Sequence, residues 1–157
     1  MLNVGDPVDS FHLTAHDGTE VRWEDLRGQP VVFFFYPKAN TPGCTKEACA
    51  FRDLKGEFES RGVKVYGVSA DSLKRQQNFA SKYDLTMPLL SDPDHLILKP
   101  WGVWGEKKLY GKVYEGIIRS TFLFDKEGVL RHVWPKVKVK GHAEDVLARV
   151  DDLFGAA

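Results

Sequence analysis

Two cysteines, Cys44 and Cys49, lie five residues apart in the segment Thr41-Pro42-Gly43-Cys44-Thr45-Lys46-Glu47-Ala48-Cys49. Thr41 reads as a helix N-cap and Pro42 as the first helical residue, which puts Cys44 at the third helical position. Backbone N–H groups in a first helical turn have no intrahelical partner, and together with the macrodipole they favour an anion there. A thiol at that point is a candidate nucleophile, and the second thiol is its candidate partner. Zinc binding fits less well. The C-x4-C spacing is looser than the usual metal pairs, and none of the five histidines is close in sequence. Without further context Cys49 reads equally well as a small buried hydrophobe.

Helix position alone makes a weak catalyst. For a generic thiol, lowering the pKa from about 8.5 to about 6 raises the thiolate fraction at neutral pH roughly thirtyfold, but a Brønsted slope near 0.45 removes about thirteenfold in nucleophilicity. A fast thiol therefore needs donors aimed at the charge that develops on the atoms being displaced. An arginine suits this task because its forked donors stay charged. Several are available, and spacing alone does not choose among them. Arg119 is a good candidate, because it immediately precedes an apolar β-rich run and so projects from a strand end. Helix geometry also separates the Cα atoms of Cys44 and Cys49 by roughly 8.6 Å. A disulfide tolerates at most about 7 Å, so the two sulfurs pair only if the first turns of the helix unwind.

The elements that must position these residues follow from the hydrophobic pattern. Phe11-His12-Leu13 and Val21-Arg22-Trp23 around Asp17-Gly18 predict an N-terminal β-hairpin. Val31 to Tyr36 is a continuous apolar run, as in a central strand covered on both faces. Ala48, Phe51, Leu54 and Phe58 recur at helical spacing, predicting a helix of about four turns that runs from Thr41 toward Gly62. A strand over Val63–Ser69, a helix beginning at Asp71 or Ser72, a short strand Leu89–Ser91 and a short helix His95–Lys99 stopped by Pro100 follow. Thr121–Phe124 and Val129–Trp134 bracket Asp125–Gly128 as a second hairpin, and a last helix runs from about Ala143 to near Gly155. The order predicts an α/β fold with a central mixed β-sheet flanked by helices, in one domain spanning 1–157.

Composition limits the partners. Lys plus Arg and Asp plus Glu balance at 22 each, so no global field draws the chain to nucleic acid or acidic lipid. Lys136, Lys138 and Lys140 form a local basic stripe that reads as a solvated strand face or loop. The longest apolar run is far shorter than the roughly 20 residues of a membrane helix, and no leader pattern opens the sequence, so a cytoplasmic location is expected. In a reducing compartment two cysteines favour catalysis or redox sensing over a structural disulfide.

The segment Pro37-Lys38-Ala39-Asn40-Thr41-Pro42-Gly43-Cys44 resembles the P-x-x-x-T-x-x-C signature of peroxiredoxins. Its continuation to Cys49 resembles the bacterioferritin comigratory protein, or Q-type, subfamily. Gly102–Lys108, Arg119–Leu123 and Lys136–His142 extend the resemblance over essentially the whole chain. It implies a thioredoxin-like fold and a thiol-dependent peroxidase with no cofactor. In that pattern Cys44 is the peroxidatic cysteine, Thr41 donates to the peroxide, Arg119 stabilises thiolate and substrate oxygens, Pro37 shields the pocket, and Cys49 is the resolving cysteine. Gly43 and Glu47 are supporting positions. Glu47 matches a residue that hydrogen-bonds the arginine, although an early-helix carboxylate also reads as simply solvated. The implied partners are a peroxide and a thioredoxin-type or glutaredoxin-type reductant, and the chain is expected to work as a monomer. Asn40 stands where an acidic residue is common, and Pro100 interrupts a segment that is often helical. Two other functions use the same residues: protein disulfide exchange, which normally employs C-x-x-C, and a non-enzymatic redox switch.

Overall fold

The computed structural model describes residues 1–155. Among them, strands β1 (His12–Ala15), β2 (Glu20–Arg22), β3 (Val31–Phe35), β4 (Lys64–Ser69), β5 (Leu89–Ser91), β8 (Ser120–Phe124) and β9 (Leu130–Trp134) form one mixed sheet in the order β2-β1-β5-β4-β3-β8-β9. A separate antiparallel pair, β6 (Trp104–Leu109) and β7 (Lys112–Ile117), projects from it. The helices are α1 (Pro42–Asp53), α2 (Lys55–Ser60), α3 (Leu73–Tyr83) and α4 (His142–Phe154), with a short 3-10 helix at Trp23–Leu26.

The apolar run at Val31 becomes β3, inside the sheet and buried along its whole length. Its period of two divides the core. Val32, Phe34 and Tyr36 face one side, with Ala48 and Phe51 of α1, Phe58 of α2, Phe79 of α3 and Val146 of α4. Val31, Phe33 and Phe35 face the other, where Phe11, Trp23, Trp101, Phe122 and Phe124 pack mostly edge-to-face around Phe33 and Phe35. Both parallel crossovers, β3 to β4 and β4 to β5, step the same way along the sheet. With right-handed connections they deliver α1, α2 and α3 to the same face.

Most of the expected elements form, with three differences. The helix expected to run from Thr41 toward Gly62 breaks at Leu54, whose N–H is shared between the carbonyls of Ala50 and Phe51 at 3.3 and 3.2 Å. Gly56, a weak helix former, lies just beyond the break. The short helix expected at His95–Lys99 is a run of turns. There the Asp92 carboxylate accepts the N–H groups of Leu96, Ile97 and Leu98 at 2.7, 3.0 and 3.0 Å, and Pro100 has no N–H with which to continue a helix. The β6–β7 hairpin was not expected. Its two-residue turn has positive φ at both Tyr110 (51°) and Gly111 (76°), the requirement of a type I′ turn. The Lys136–Lys140 stripe lies in an exposed loop, and no helix among the described residues is long and apolar enough to cross a membrane.

Asp92 is 1% exposed and supplies the acceptor for three amides. Asp92→Ala leaves the buried amides of Ile97 and Leu98 unpaired in the core and is expected to cost about 3 kcal/mol of stability, measured by urea unfolding at neutral pH.

Candidate active site

Sheet topology brings the reactive residues together. β3 runs toward the loop that launches α1, and β8 is antiparallel to it with Phe35 opposite Ser120. The residue before Ser120 therefore arrives beside the end of β3. That residue is Arg119. It lies two positions before Thr121 and so on the same sheet face, the face that carries α1.

At the other side of the site, Thr41 has the extended backbone of an N-cap (φ −99°, ψ 158°), and Cys44 is the third residue of α1, as its sequence position implies. The first helical bond runs from Thr45 N–H to the Thr41 carbonyl at 2.8 Å. The N–H groups of Gly43 and Cys44 precede it, so α1 gives them no acceptor. The Thr41 side chain departs from expectation. It does not cap the helix, and its hydroxyl donates to the Lys38 carbonyl at 2.8 Å. Its proton is thus engaged, and its lone pairs are what it offers a ligand. Asn40, just before it, has φ 65°, a left-handed conformation that Asn adopts more readily than most residues.

Arg119 joins the two sides. Nη2 donates to Cys44 Sγ at 3.3 Å, and Nη1 donates to Glu47 Oε1 at 2.8 Å. Cys44 and Glu47 are each 1% exposed, and the Arg119 side chain is 19% exposed. The solvated alternative for Glu47 is thereby excluded. Burial raises the Glu47 carboxyl to about 7, with Arg119 pulling the other way, and Oε2 has no hydrogen-bond partner among the described residues. Burial also works against the Arg119 charge, but Glu47 and Cys44 outweigh it and hold the guanidinium above its ordinary value. Gly43 lets the arginine approach, because a Cβ there would stand 3.1 Å from Nη2.

Pro37 lines an open cleft together with Trp104, Lys107, Tyr114 and Ile117. Lys107 escaped sequence reasoning as a member of this site. Its ammonium donates to the Ile117 carbonyl at 2.8 Å, and burial followed by the Arg119 charge holds it below its ordinary value while Cys44 pulls it up. The Tyr110-Gly111 turn signal would have revealed the hairpin that carries it. His142, also missed, is buried behind the arginine against Phe51 and Trp134, with Nε2 2.8 Å from Thr121 Oγ1. Burial lowers it to about 4. Cys49 is half-buried in the second turn of α1, and both thiols are free. α1 is unbroken between them, which keeps the sulfurs in the separated arrangement that the spacing predicts.

A model of the AhpC/TSA family matches residues 4–133. The chain belongs to that family. Within it the relatives are peroxiredoxins. The chain is 47% identical over 149 residues to the putative peroxiredoxin bcp of Coxiella burnetii, covering 95% of this chain and 99% of that one. To the peroxiredoxin Bcp of Escherichia coli K12 it is 44% identical over 146 residues, 93% and 94% of the two chains. Peroxiredoxin Q of Xanthomonas campestris superposes with a TM-score of 0.87 at 43% identity, covering 91% of this chain and 90% of that one. A cysteine-to-serine mutant of PrxQ from Xylella fastidiosa gives 0.92 at 37% identity over 97% of each. The thioredoxin-like fold and the Bcp/PrxQ peroxiredoxin membership that the motifs implied are both met, and the chain is an enzyme of that class.

The buried carboxyl has a pH signature. Glu47 ionises near 4.5 in the unfolded chain and near 7 in the folded protein, so between those values the folded state binds the extra proton. Its contribution is fully present below about pH 4.5 and is lost as pH rises to about 7. His142 slopes oppositely over a similar range: its contribution is present above 6.5 and is lost as pH falls toward about 4. A variant isolates the first effect. The melting temperature of Glu47→Gln relative to wild type is expected to climb from pH 4.5 to about 7 and then level off. A difference constant across that range would place the Glu47 pKa elsewhere.

Proposed function

We propose that this chain is a thiol-dependent peroxidase in which Cys44 is the peroxidatic cysteine and Cys49 resolves it. The reading rests chiefly on the Arg119 fork, which reaches Cys44 Sγ and Glu47 Oε1 at once. A guanidinium fixed by a buried carboxylate is preorganised to stabilise a thiolate and the charge that leaves it.

The Cys44 thiolate attacks the distal oxygen of a hydroperoxide. An S–O bond forms, the O–O bond breaks, and its electron pair departs on the other oxygen, which takes up a proton to leave as alcohol or water. Arg119 and the Cys44 N–H hold the stretching O–O bond, and Thr41 accepts from the peroxide hydroxyl through the lone pairs that its bond to Lys38 leaves free. Pro37 shields the sulfur from bulk water, Gly43 makes room for the guanidinium, and Glu47 holds it. The apolar side chains of Trp104, Tyr114 and Ile117 beside Pro37 suit an alkyl substituent. In this they fit the alkyl peroxide reduction studied in the Xanthomonas campestris bacterioferritin comigratory protein.

The product, a sulfenic acid on Cys44, condenses with Cys49. The S–S bond forms, the S–O bond breaks and water leaves. The start of α1 unwinds for this step, because the intact helix holds the two Cα atoms roughly 8.6 Å apart. A thioredoxin-type or glutaredoxin-type dithiol returns the disulfide to two thiols. Both cysteines lie in one chain, so the cycle runs in a monomer and in a single domain. No metal or prosthetic group enters it.

Rapid-quench mass spectrometry after one equivalent of hydrogen peroxide tests the scheme. Wild type is expected to lose two hydrogens as a Cys44–Cys49 disulfide forms. Cys49→Ser should gain one oxygen at an unchanged rate, and Cys44→Ser should not react on that timescale. Equal oxidation in Cys44→Ser would remove Cys44 from the reaction, and a wild type that stops at the one-oxygen product, with no Cys44–Cys49 disulfide, would remove Cys49 as its resolving partner.

A further inference from the structure

A second set of buried polar side chains, none of them touching the sulfur, ends on the loop that carries Thr41. The Tyr36 hydroxyl donates to Gln76 Oε1 at 2.5 Å, and Gln76 Nε2 donates to Ser69 Oγ and to the Leu90 carbonyl, both at 2.9 Å. Ser69 Oγ donates to Asp71 Oδ2 at 2.7 Å, and the same carboxylate oxygen accepts the Ala39 N–H at 2.7 Å. Tyr36, Gln76 and Ser69 are 0% exposed, and the Asp71 side chain 7%. Only the other carboxylate oxygen looks outward, toward Arg75 at 3.0 Å, whose side chain is half-exposed.

The donors run in one direction. Gln76 accepts from Tyr36 and donates on, Ser69 accepts from Gln76 and donates on, and Asp71 only accepts. The chain of bonds starts at Tyr36, just after β3, crosses α3 and the end of β4, and returns three residues later at Ala39. Ala39 is 3% exposed, so its N–H has no water to fall back on, and its acceptor lies outside the loop. The neighbouring Lys38 carbonyl is where the Thr41 hydroxyl is fastened.

We infer that Asp71 is a positioning residue for the peroxide reaction: by accepting the Ala39 N–H it fixes the turn that orients Thr41 and starts α1 at Cys44. The inference rests on the function proposed above for Cys44. It has a second consequence. The unwinding that joins Cys44 to Cys49 begins downstream of Ala39, so an anchor at Ala39 favours the wound, peroxide-reactive conformer over the one that forms the disulfide. Loss of the anchor slows the first step without slowing the second.

Asp71→Ala, Asp71→Asn, Ser69→Ala and Arg75→Ala separate these effects. Amide hydrogen exchange in the reduced protein reads the anchor without any chemistry at sulfur. Asp71→Ala is expected to accelerate exchange over residues 37–48 by about tenfold or more while β3 and β8 keep their protection. Ser69→Ala, which loosens the carboxylate but keeps it, gives a smaller increase in the same segment. Asp71→Asn retains an oxygen for Ala39 and Ser69, and Arg75→Ala touches only the outward oxygen, so both stay near wild type.

In rapid-quench kinetics with hydrogen peroxide, Asp71→Ala is expected to lower the rate of Cys44 oxidation by about tenfold or more and to leave condensation with Cys49 unchanged or faster, with Asp71→Asn recovering to within about threefold of wild type. Unchanged exchange over 37–48 in Asp71→Ala would overturn the inference. So would both steps slowing by the same factor with Asp71→Asn no better than Asp71→Ala. Wild-type protein with no peroxide reaction at Cys44 would defeat the proposed function, while the exchange result would still decide whether Asp71 anchors the loop.

Discussion

One guanidinium ties the two halves of the site together. Arg119 comes from the start of β8 and Cys44 from the start of α1, and they meet because one fork spans the sulfur and a carboxylate one helical turn further along. A lysine ammonium is a point charge and fixes no such direction. Holding the fork has a cost, since Glu47 is taken out of water with one oxygen unpartnered and its carboxyl is raised to about 7. The surroundings conform to that contact: glycine at 43 where a Cβ would crowd Nη2, and Lys107 and His142 each feeling the arginine charge while burial disfavours their own.

The helix that presents Cys44 is also what separates it from Cys49. Its first turn supplies the open N–H groups, and its regular rise keeps the sulfurs apart. In the proposed cycle the turns that join the two cysteines are therefore wound for the first step and unwound for the second. The β3–α1 loop is fastened at one peptide unit, where Asp71 accepts the Ala39 N–H and Thr41 donates to the Lys38 carbonyl. The molecule thus holds the start of α1 from upstream and leaves the turns between the cysteines as the part that yields. Neither Cys44 nor Cys49 is covalently tied, and besides packing against β3 and α4 the turns between them are retained by the Arg119 bonds to Cys44 and Glu47.

Local signals carried much of this arrangement. The run at Val31 marked the central strand because a strand buried on both faces needs no alternation, and the Thr41-Pro42 pair marked the helix start and so the third position for Cys44. Arg119 was legible as a strand-end arginine. Its distances to Cys44 and Glu47 depend on the antiparallel β3–β8 register, which no local pattern encodes. The same limit hid whether Glu47 is solvated or buried, since both fit an early-helix carboxylate. His95–Lys99 misled because its amides are captured by Asp92, a side chain outside the segment. The Thr41 side chain fits an N-cap by sequence, but its hydroxyl donates to the Lys38 carbonyl instead of capping the helix. Lys107 and the β6–β7 hairpin could have been found from Tyr110-Gly111, a two-residue turn between alternating positions.

The central claim is that the geometry of the Arg119 fork, and not its charge alone, makes Cys44 fast. Stopped-flow measurement of the second-order rate constant for Cys44 oxidation in Arg119→Lys against wild type, with the same hydroperoxide, tests it most directly. The account predicts a loss of about a hundredfold or more, because the lysine keeps the charge and loses the second directed donor. A rate within a few-fold of wild type would contradict it and leave the helix start and Thr41 to carry the reaction.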